Sequence, residues 1–345
     1  MNNRADYPQH LRQRARRAYI VMAVFAAMII IAFIFSMNTG YIRLSPLDVL
    51  RTLLGHGTAK QELILFEFRL PRIMISVLIG MGLAVAGCIF QGISRNPLAD
   101  PGVLGINAGA GLAVTLFISF YPATANAPVF LMPLLALLGS GITATIIYVL
   151  SYKKHYGLLP IRMVLVGIAL AAGINAAMIV LQLRLRPEDY QMLQIWLVGS
   201  IWGTSWKYVL ALLPWIILLL PYVFLKARVL NVLNLGDQTA VGLGTPLERS
   251  RLGLLAAAVG LTGSCVAVGG GISFVGLIAP HLARRLVGPK HEYLLPASAL
   301  TGGLLVIVSD TLGRWLLQPA EVPTGIVVAV IGAPYFLYLL TKSRI

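Results

Sequence analysis

Long stretches without Asp, Glu, Lys or Arg constrain this chain more than any other feature of its sequence. Five of them, each about as long as one membrane-spanning helix, cover residues 19–42, 73–94, 163–183, 208–225 and 322–341. A helix of roughly 20 apolar residues crosses the hydrocarbon core of a bilayer with its backbone groups hydrogen-bonded internally. The sequence therefore predicts an integral membrane protein built from helices.

Three further apolar stretches predict five more helices. Residues 101–152 carry no charge and are interrupted at 121–128 by two prolines, which predicts a hairpin of two spans. Residues 252–283 are divided by three consecutive glycines into a full helix and a shorter one, and 293–309 continue past Asp310 as another helix. The predicted fold class is all-α, a polytopic membrane protein with ten transmembrane helices in two inverted five-helix halves.

One more charge-free stretch, residues 190–206, is not predicted to cross the membrane. It contains Trp196, Trp202 and Trp206 among glycine, serine and threonine residues. Clustered tryptophans with polar neighbours are typical of the membrane–water interface rather than of the hydrocarbon core. We therefore expect an interfacial segment here.

The basic residues indicate how the helices are oriented. The net charge is +15, with 27 Lys and Arg against 12 Asp and Glu, although only 11% of the residues are charged. With ten spans, Lys and Arg divide about two to one in favour of the loops on the side of both termini, as cytosolic loops do. We expect a multi-pass protein of the cell membrane with both termini in the cytosol. Charges spread over short loops also exclude a nucleic-acid-binding face.

This topology distinguishes two parts of the chain. Residues 1–18 are a basic N-terminal segment in the cytosol, and 19–345 are the ten-helix membrane domain. The longest cytosolic connection, 226–251, is predicted to form two short helices joined at 242–246. We expect Thr245 to cap the second of them.

Residues that could carry chemistry are scarce. Cys88 and Cys265 lie within apolar runs, which favours neither a disulfide nor a metal cluster. The sequence contains no Gly-x-x-x-x-Gly-Lys-Ser/Thr loop for nucleotide phosphates and no His-Glu-x-x-His zinc motif. We expect no catalytic residue, no metal site and no cofactor, and an intramembrane enzyme ranks last among the functions considered.

An ion-coupled secondary transporter is the alternative that the sequence leaves open. Such transporters use ionisable groups within the membrane. Asp310 is the acidic residue predicted to lie within a span, beside His281 near a helix end. A lone intramembrane aspartate without a partnering set is more often a hydrogen-bond partner inside the bundle, and we expect that role for Asp310.

Six motifs follow one another in a characteristic order. They read RLPR at 69–72, QGISRNPLADPGVLGINAGA at 91–110, LNLGDQTAVGLG at 233–244, GGISFVGLIAPHLARRLVG at 270–288, LLPASAL at 294–300 and AEVPTGIVVAVIGAPYFLYLL at 320–340. This ordered set resembles the permease family of ABC importers for iron–siderophores and cobalamin, the FecCD type. The resemblance extends from about residue 19 to the C-terminus.

The resemblance implies a permease subunit of an ATP-driven importer, with ferric siderophores as the expected cargo and haem or cobalamin as alternatives. Such a subunit pairs with a second permease, as a homodimer or a heterodimer. It works with two cytosolic ABC ATPase subunits and an extracytoplasmic substrate-binding protein. Because the ATPase subunits hydrolyse ATP, this chain is not expected to be an enzyme.

The resemblance also implies two groups of site residues. In that family the cytosolic loop before the seventh helix docks on the ATPase, and arginines at the outer face meet acidic residues of the binding protein. The matching positions for ATPase coupling are Leu235, Gly236, Asp237, Ala240, Leu243 and Gly244. The matching positions for binding-protein docking are Arg69, Arg72 and Arg314.

Overall fold

The computed structural model describes residues 6–40, 44–102, 104–121, 128–154 and 157–342. These residues are almost entirely helical, as predicted. The helices are α1 Asp6–Asn38, α2 Pro46–Leu53, α3 Ala59–Glu62, a π-helical segment Leu63–Arg69, α4 Leu70–Ser94, α5 Ile106–Phe120, α6 Leu131–Ser151, α7 Pro160–Gln182, α8 Pro187–Val198, α9 Trp206–Leu225, α10 Ala227–Asn234, α11 Asp237–Gly242, α12 Leu247–Gly269, α13 Val275–Val287, α14 His291–Leu316 and α15 Thr324–Lys342. A short antiparallel hairpin, β1 Tyr152–Lys153 and β2 Gly157–Leu158, precedes α7.

Seven helices within the described ranges are long and apolar enough to cross a membrane. They are α1, the continuous helix that ends with α4, and α6, α7, α9, α12 and α14. α5 and α15 contain shorter apolar helices, and α13 has 13 residues. These helices occupy the positions of the ten predicted spans. That all ten cross, and that the halves are inverted repeats, stay predictions. Most of the predicted interruption at 121–128 lies outside the described residues.

The tryptophan-rich stretch without charges does not form a spanning helix. α8 has 12 residues, or about 18 Å, against a hydrocarbon core of about 30 Å. The Trp196 carbonyl accepts a hydrogen bond from Gly271 N at 3.1 Å, and the Gly199 carbonyl accepts one from Gly325 N at 2.9 Å. The end of α8 is thereby attached to the break between α12 and α13 and to the start of α15.

The second membrane helix is longer than predicted. α3, the π-helical segment and α4 form one helix, Ala59–Ser94, of 36 residues. At 1.5 Å per residue it measures about 54 Å, so it extends beyond the bilayer core. Thr58 and Gln61 cap its start reciprocally, each side chain accepting a hydrogen bond from the other's backbone N–H. Glu62 and Glu67 lie in the extension, which explains why charge-free stretches do not predict it.

α1 also extends beyond its apolar run. It begins at Asp6, inside the predicted N-terminal segment 1–18, and continues without interruption into the spanning part. Residues 1–5 of that segment lie outside the described ranges, as do the last three residues of the chain.

α4 lies at the centre of the bundle, where it packs against α14, α12, α13 and α9. It crosses α14 at Gly80 and Gly302, where a Cβ added at Gly80 would lie 2.2 Å from the Gly302 carbonyl oxygen. Glycine allows this approach to backbone contact, which stabilises helix packing in a bilayer where hydrophobic burial contributes little. This contact fixes α4, and the side chains at its two ends, against the rest of the bundle.

The connection 226–251 forms two short helices, but their junction is not the predicted one. α10 and α11 meet at Gly236, whose φ of +108° favours glycine. The predicted junction at 242–246 leads instead from α11 into the membrane helix α12. Thr245 does not cap that helix, because Pro246 occupies the N-cap position and no side-chain cap forms.

Candidate functional sites at the two ends of the bundle

A buried group of charges lies where α4 begins, α14 ends and α15 begins. We name Arg72, Asp310, Arg314, Glu321 and Thr324 the Asp310 cluster. Arg72 donates to Asp310 Oδ1 through Nε at 3.0 Å and Nη2 at 2.9 Å. Arg314, one helical turn after Asp310, places Nε 3.2 Å from Oδ2, and Thr324 Oγ1 donates to Oδ1 at 3.0 Å. Asp310, only 1% exposed, therefore connects three helices.

Two arginines also bind the end of α1. Arg69 donates to the Met37 carbonyl, while Arg314 donates to the Thr39 carbonyl at 3.1 Å and to Ser36 Oγ. The last carbonyls of a helix lack partners in the helix and carry partial negative charge, so cations stabilise them. α1 has no basic residue in its own last turn, and arginines from other helices supply the cations.

The three arginines predicted to dock a binding protein are therefore brought to one end of the bundle, but they are largely buried. Arg69 is 6% exposed, Arg314 is 5% exposed, and the Arg72 side chain is 12% exposed. Glu321 is more accessible, with a side-chain exposure of 34%, and its Oε2 lies 2.7 Å from Arg72 Nη1. The docking role of the arginines stays a prediction.

A second group of charges lies at the other end of α4. We name Arg95, Asp237 and Arg251 the Asp237 cluster. Asp237 begins α11, and its Oδ1 accepts from Arg251 Nη2 at 2.5 Å and from Arg95 Nη2. Arg95 follows α4 and also donates to the Leu233 carbonyl at 3.2 Å, and the 1%-exposed Arg251 of α12 donates to the Leu158 carbonyl at 3.3 Å. Asp237 thus attaches α11 to α4 and α12.

Asn231 attaches α10 to α14. Its Oδ1 accepts from His291 N at 2.9 Å and lies 2.8 Å from His291 Nδ1, and its Nδ2 donates to Glu292 Oε2 at 2.6 Å. His291 and Glu292 are the first residues of α14, so Asn231 also satisfies a backbone N–H at that helix start. We call residues 227–244 the α10–α11 segment; its side chains attach it to three membrane helices.

Some of the residues predicted to couple to the ATPase are exposed. Leu235 is 63% exposed and Leu243 is 62% exposed, and Val241, which the sequence did not single out, is 59% exposed. Large apolar side chains exposed together at the end of a bundle are typical of a contact surface.

The other predicted coupling residues serve the segment itself. Asp237 forms the ion pairs described above, and Ala240 is fully buried. Gly236 and Gly244 have φ of +108° and +76°, so they shape the turns before and after α11. The structure therefore brings all six positions together, with only two of them presenting large side chains outward.

Sequence reasoning did not select several residues that complete the two clusters. These are Arg95, Arg251, Glu321 and Thr324; Asn231, which attaches α10 to α14, was not selected either. Oppositely charged residues on distant helices give no local signal, and Arg72 and Asp310 are 238 positions apart. Arg95 did have a signal in the sequence, because it lies within one of the motifs that support the family resemblance.

The two clusters lie at opposite ends of one helix. Arg72 and Arg95 are separated along α4 by about 35 Å at 1.5 Å per residue. A bilayer core of about 30 Å fits between them. The Asp310 cluster and the α10–α11 segment therefore lie near opposite surfaces of the membrane.

Comparisons with known proteins show relatives over nearly the whole chain. The model of the FecCD transport family matches residues 28–342. The iron(3+)-hydroxamate import system permease protein FhuG of Bacillus subtilis is 50% identical over 338 residues, which cover 97% of this chain and 100% of that protein. The Fe(3+) dicitrate transport system permease protein FecD of Escherichia coli is 42% identical over 281 residues, covering 81% of this chain and 86% of FecD.

A solved structure has the same fold over nearly the whole chain. It is described as an inward-facing conformation of a metal-chelate type ABC transporter, and it matches with a TM-score of 0.81 and 28% identity. The match covers 94% of this chain and 99% of that one. Family model, relatives and fold agree over almost the full length, and this chain belongs to the FecCD transport family.

Proposed function

We propose that this chain is the permease subunit of an ATP-driven importer of ferric siderophores. Its family consists of membrane permeases of ABC transporters, which are not enzymes and leave ATP hydrolysis to partner subunits. The observation that carries the cargo proposal is the 50% identity with a permease of iron(3+)-hydroxamate import. FecD, a permease of Fe(3+) dicitrate transport, also serves a ferric chelate.

Uptake in cells tests the cargo and the energy source together. Cells that carry the importer should accumulate radiolabelled iron from ferric hydroxamates, with ferric citrate, haem and cobalamin as comparison cargoes. Uptake should stop after ATP depletion and persist after an uncoupler. The reverse pattern would support an ion-coupled transporter, which the family membership and the arginine-bound state of Asp310 do not favour.

The proposed assembly contains two permease subunits, two cytosolic ABC ATPases and one extracytoplasmic substrate-binding protein. ABC permeases require such partners, and the stoichiometry is our proposal. The mass of the purified complex tests it. Its subunit composition distinguishes a homodimer of this permease from a heterodimer.

We propose further that the α10–α11 segment is the ATPase coupling element and faces the cytosol. Exposed Leu235, Val241 and Leu243 provide an apolar contact surface. The hydrogen bonds of Asp237 and Asn231 would carry a displacement of the segment to α4, α12 and α14. Closure of the ATPases on ATP would then tilt these helices and open a path at the interface between the two permeases.

Substitution of one exposed leucine tests this docking surface. Leu243→Glu should reduce co-purification of the ATPases and uptake by about tenfold or more, because burying a leucine contributes about 1.5–3 kcal/mol. Leu54→Glu is the matched control, since Leu54 is 67% exposed outside the segment and near the start of the long helix. If Leu243→Glu retains ATPases and uptake like the control, the docking assignment is wrong.

Arg69, Arg72 and Arg314 remain our proposed docking residues for the binding protein. Because each already has partners in the chain, an acidic residue of the binding protein would have to replace the Met37 carbonyl at Arg69, Asp310 or Glu321 at Arg72, or Asp310 at Arg314. Docking would then loosen α14 from α4. Glu321→Gln should therefore tighten binding of the binding protein more than Glu67→Gln, which removes an equal charge from the extension of the long helix. Equal effects would contradict the partner exchange.

A further inference from the structure

A deep apolar groove of about 550 Å³ lies between α6, α9 and α12. Its floor includes Phe90, Ile106 and Met163, each at most 3% exposed. Leu138 and Leu252 on its rim are about half exposed. The volume lies in the range of about 300–1,000 Å³ that is typical of sites for small organic ligands.

The groove is a wedge between two helices. α6 and α12 are in contact at Gly263, where an added Cβ would lie 2.9 Å from Leu137 Cδ1. Away from this contact, Gly141, Ala144 and Ala256 are among the lining residues, and a Cβ added at Gly141 would meet no atom within 4 Å. A wedge that closes at Gly263 fits a flexible hydrocarbon chain better than a helix about 10 Å across.

The wide end of the groove continues into a polar depression. This depression shares Tyr148 and Leu252 with the groove and adds Tyr152, Glu248 and Arg249. Neither Glu248 nor Arg249 forms an ion pair with a described residue. Within the same part of the chain, Glu248 Oε2 is buried and has no hydrogen-bond partner. A buried carboxylate oxygen without a partner is costly, which points to a donor supplied by a ligand.

We propose that this groove binds phosphatidylethanolamine from the membrane. One acyl chain occupies the apolar wedge, the phosphate lies against Arg249, and the ammonium group donates to Glu248. The ligand supplies a hydrocarbon chain, an anion and a cation, which complement the apolar, basic and acidic parts of the site. The surrounding bilayer supplies this molecule directly.

Filling the groove tests the acyl-chain site. The whole transporter complex, purified in detergent, is incubated with phosphatidylethanolamine and examined by native mass spectrometry. Gly141→Leu should reduce the bound lipid about tenfold, equivalent to about 1.4 kcal/mol. Gly173→Leu is the matched control, because Gly173 is also a helical glycine whose added Cβ would meet nothing within 4 Å.

Equal lipid retention in the two glycine variants would overturn the proposal. It would also be overturned if Gly141→Leu separated the two permease subunits and left lipid binding unchanged, because the groove would then be a protein interface. If Gly141→Leu alone loses the lipid and the complex stays intact, the acyl-chain site is supported.

Headgroup variants test the polar end. Arg249→Gln should weaken phosphatidylethanolamine about tenfold and leave diacylglycerol, which has no phosphate, unchanged; the control is Arg17→Gln on α1, outside the groove. Glu248→Gln should remove the preference for phosphatidylethanolamine over phosphatidylglycerol. Inorganic phosphate added to the wild-type complex should not displace the lipid. Displacement by phosphate, or no effect of Arg249→Gln, would overturn the assignment of the headgroup.

Discussion

Asp310 places one carboxylate between two arginines in the interior of the protein. Taking a charge out of water costs several kcal/mol, and this cost is offset only when partners and hydrogen bonds are complete. Asp310 meets this condition through Arg72, Arg314 and Thr324. The sequence predicted an internal hydrogen-bonding role, but it treated Asp310 as isolated, because its partners come from α4 and α15 as well as from its own helix.

Asp310→Asn should destabilise the permease strongly. The change leaves two buried guanidinium groups without their shared counter-charge, and removing one partner of a buried ion pair costs about 3–5 kcal/mol. The free energy of unfolding of the purified permease in mixed micelles measures the effect. Glu321→Gln is the control: Glu321 is partly exposed, so its loss should cost no more than about 1 kcal/mol. Similar losses in the two variants would contradict this account of the cluster.

Asp237 shows the limit of reading a role from a motif. The family motif marked it for ATPase contact, and the structure uses its carboxylate to hold Arg95 and Arg251. The hydropathy and spacing of LNLGDQTAVGLG carry no information on which side chains turn inward. For the same reason, the motif did not predict that Leu235 and Leu243 are exposed or that Ala240 is buried.

At the scale of helices, the crossing of α4 and α14 is a tight constraint on the bundle. Both helices were predictable from their apolar length. Which glycine meets which could not be predicted, since Gly80 and Gly302 are paired only by the tertiary fold. The extension of the long helix back to Ala59 was also not predicted. Charge-free length marks only the part of a helix inside the membrane, and a helix can continue through charged residues outside it.

Gly80→Val should disrupt this crossing. Its Cβ would lie 2.2 Å from a backbone oxygen that cannot rotate away, and overpacking costs about 1–3 kcal/mol or more. We expect a loss of monodisperse protein after detergent extraction and a lower melting temperature. Gly173→Val, where an added Cβ meets open space, should behave like the wild type. Normal yield and stability for Gly80→Val would show that the two helices are not in backbone contact.

A change at Asp237 should distinguish binding of the ATPases from the coupling of ATP hydrolysis to transport. Asp237→Asn removes the charge shared by two arginines and leaves Leu235 and Leu243 in place. Hydrogen bonds to charged groups contribute about 1.5–3 kcal/mol, so transport per ATP hydrolysed should fall about tenfold while the ATPases stay bound. Transport per ATP hydrolysed and the amount of bound ATPase can both be measured in reconstituted vesicles. Asp189→Asn, which breaks the Arg186–Asp189 pair of α8, is the matched control; equal transport per ATP in the two variants would exclude the transmitting role.

At the scale of the whole molecule, the two clusters mark opposite surfaces of the membrane. Family and membrane location were predictable because they rest on ordered motifs and apolar length. The two clusters were not predictable from the sequence, because each brings together residues from at least three helices. The direction in which the chain is inserted is still a prediction from the distribution of Lys and Arg.

Cysteine labelling tests that direction. Lys60 is exposed at the start of the long helix, and Leu243 is exposed beside the Asp237 cluster. In cells whose wall or outer membrane has been removed, a membrane-impermeant maleimide should label Lys60→Cys. It should label Leu243→Cys only after the cell membrane is broken. Native Cys88 and Cys265 are fully buried and should stay unlabelled in the parent protein. The opposite pattern would reverse the predicted orientation.

The two arginines that bind the end of α1 become available at different times during synthesis of the chain. Arg69 follows its acceptor Met37 by 32 residues, whereas Arg314 follows Thr39 by 275 residues. At a synthesis rate of about 5–20 residues per second, the first partner emerges from the ribosome within roughly 2–6 seconds and the second only after roughly 14–55 seconds. A nascent chain that stops before α14 therefore keeps the end of α1 half-satisfied, and that end is completed only when synthesis has passed Arg314.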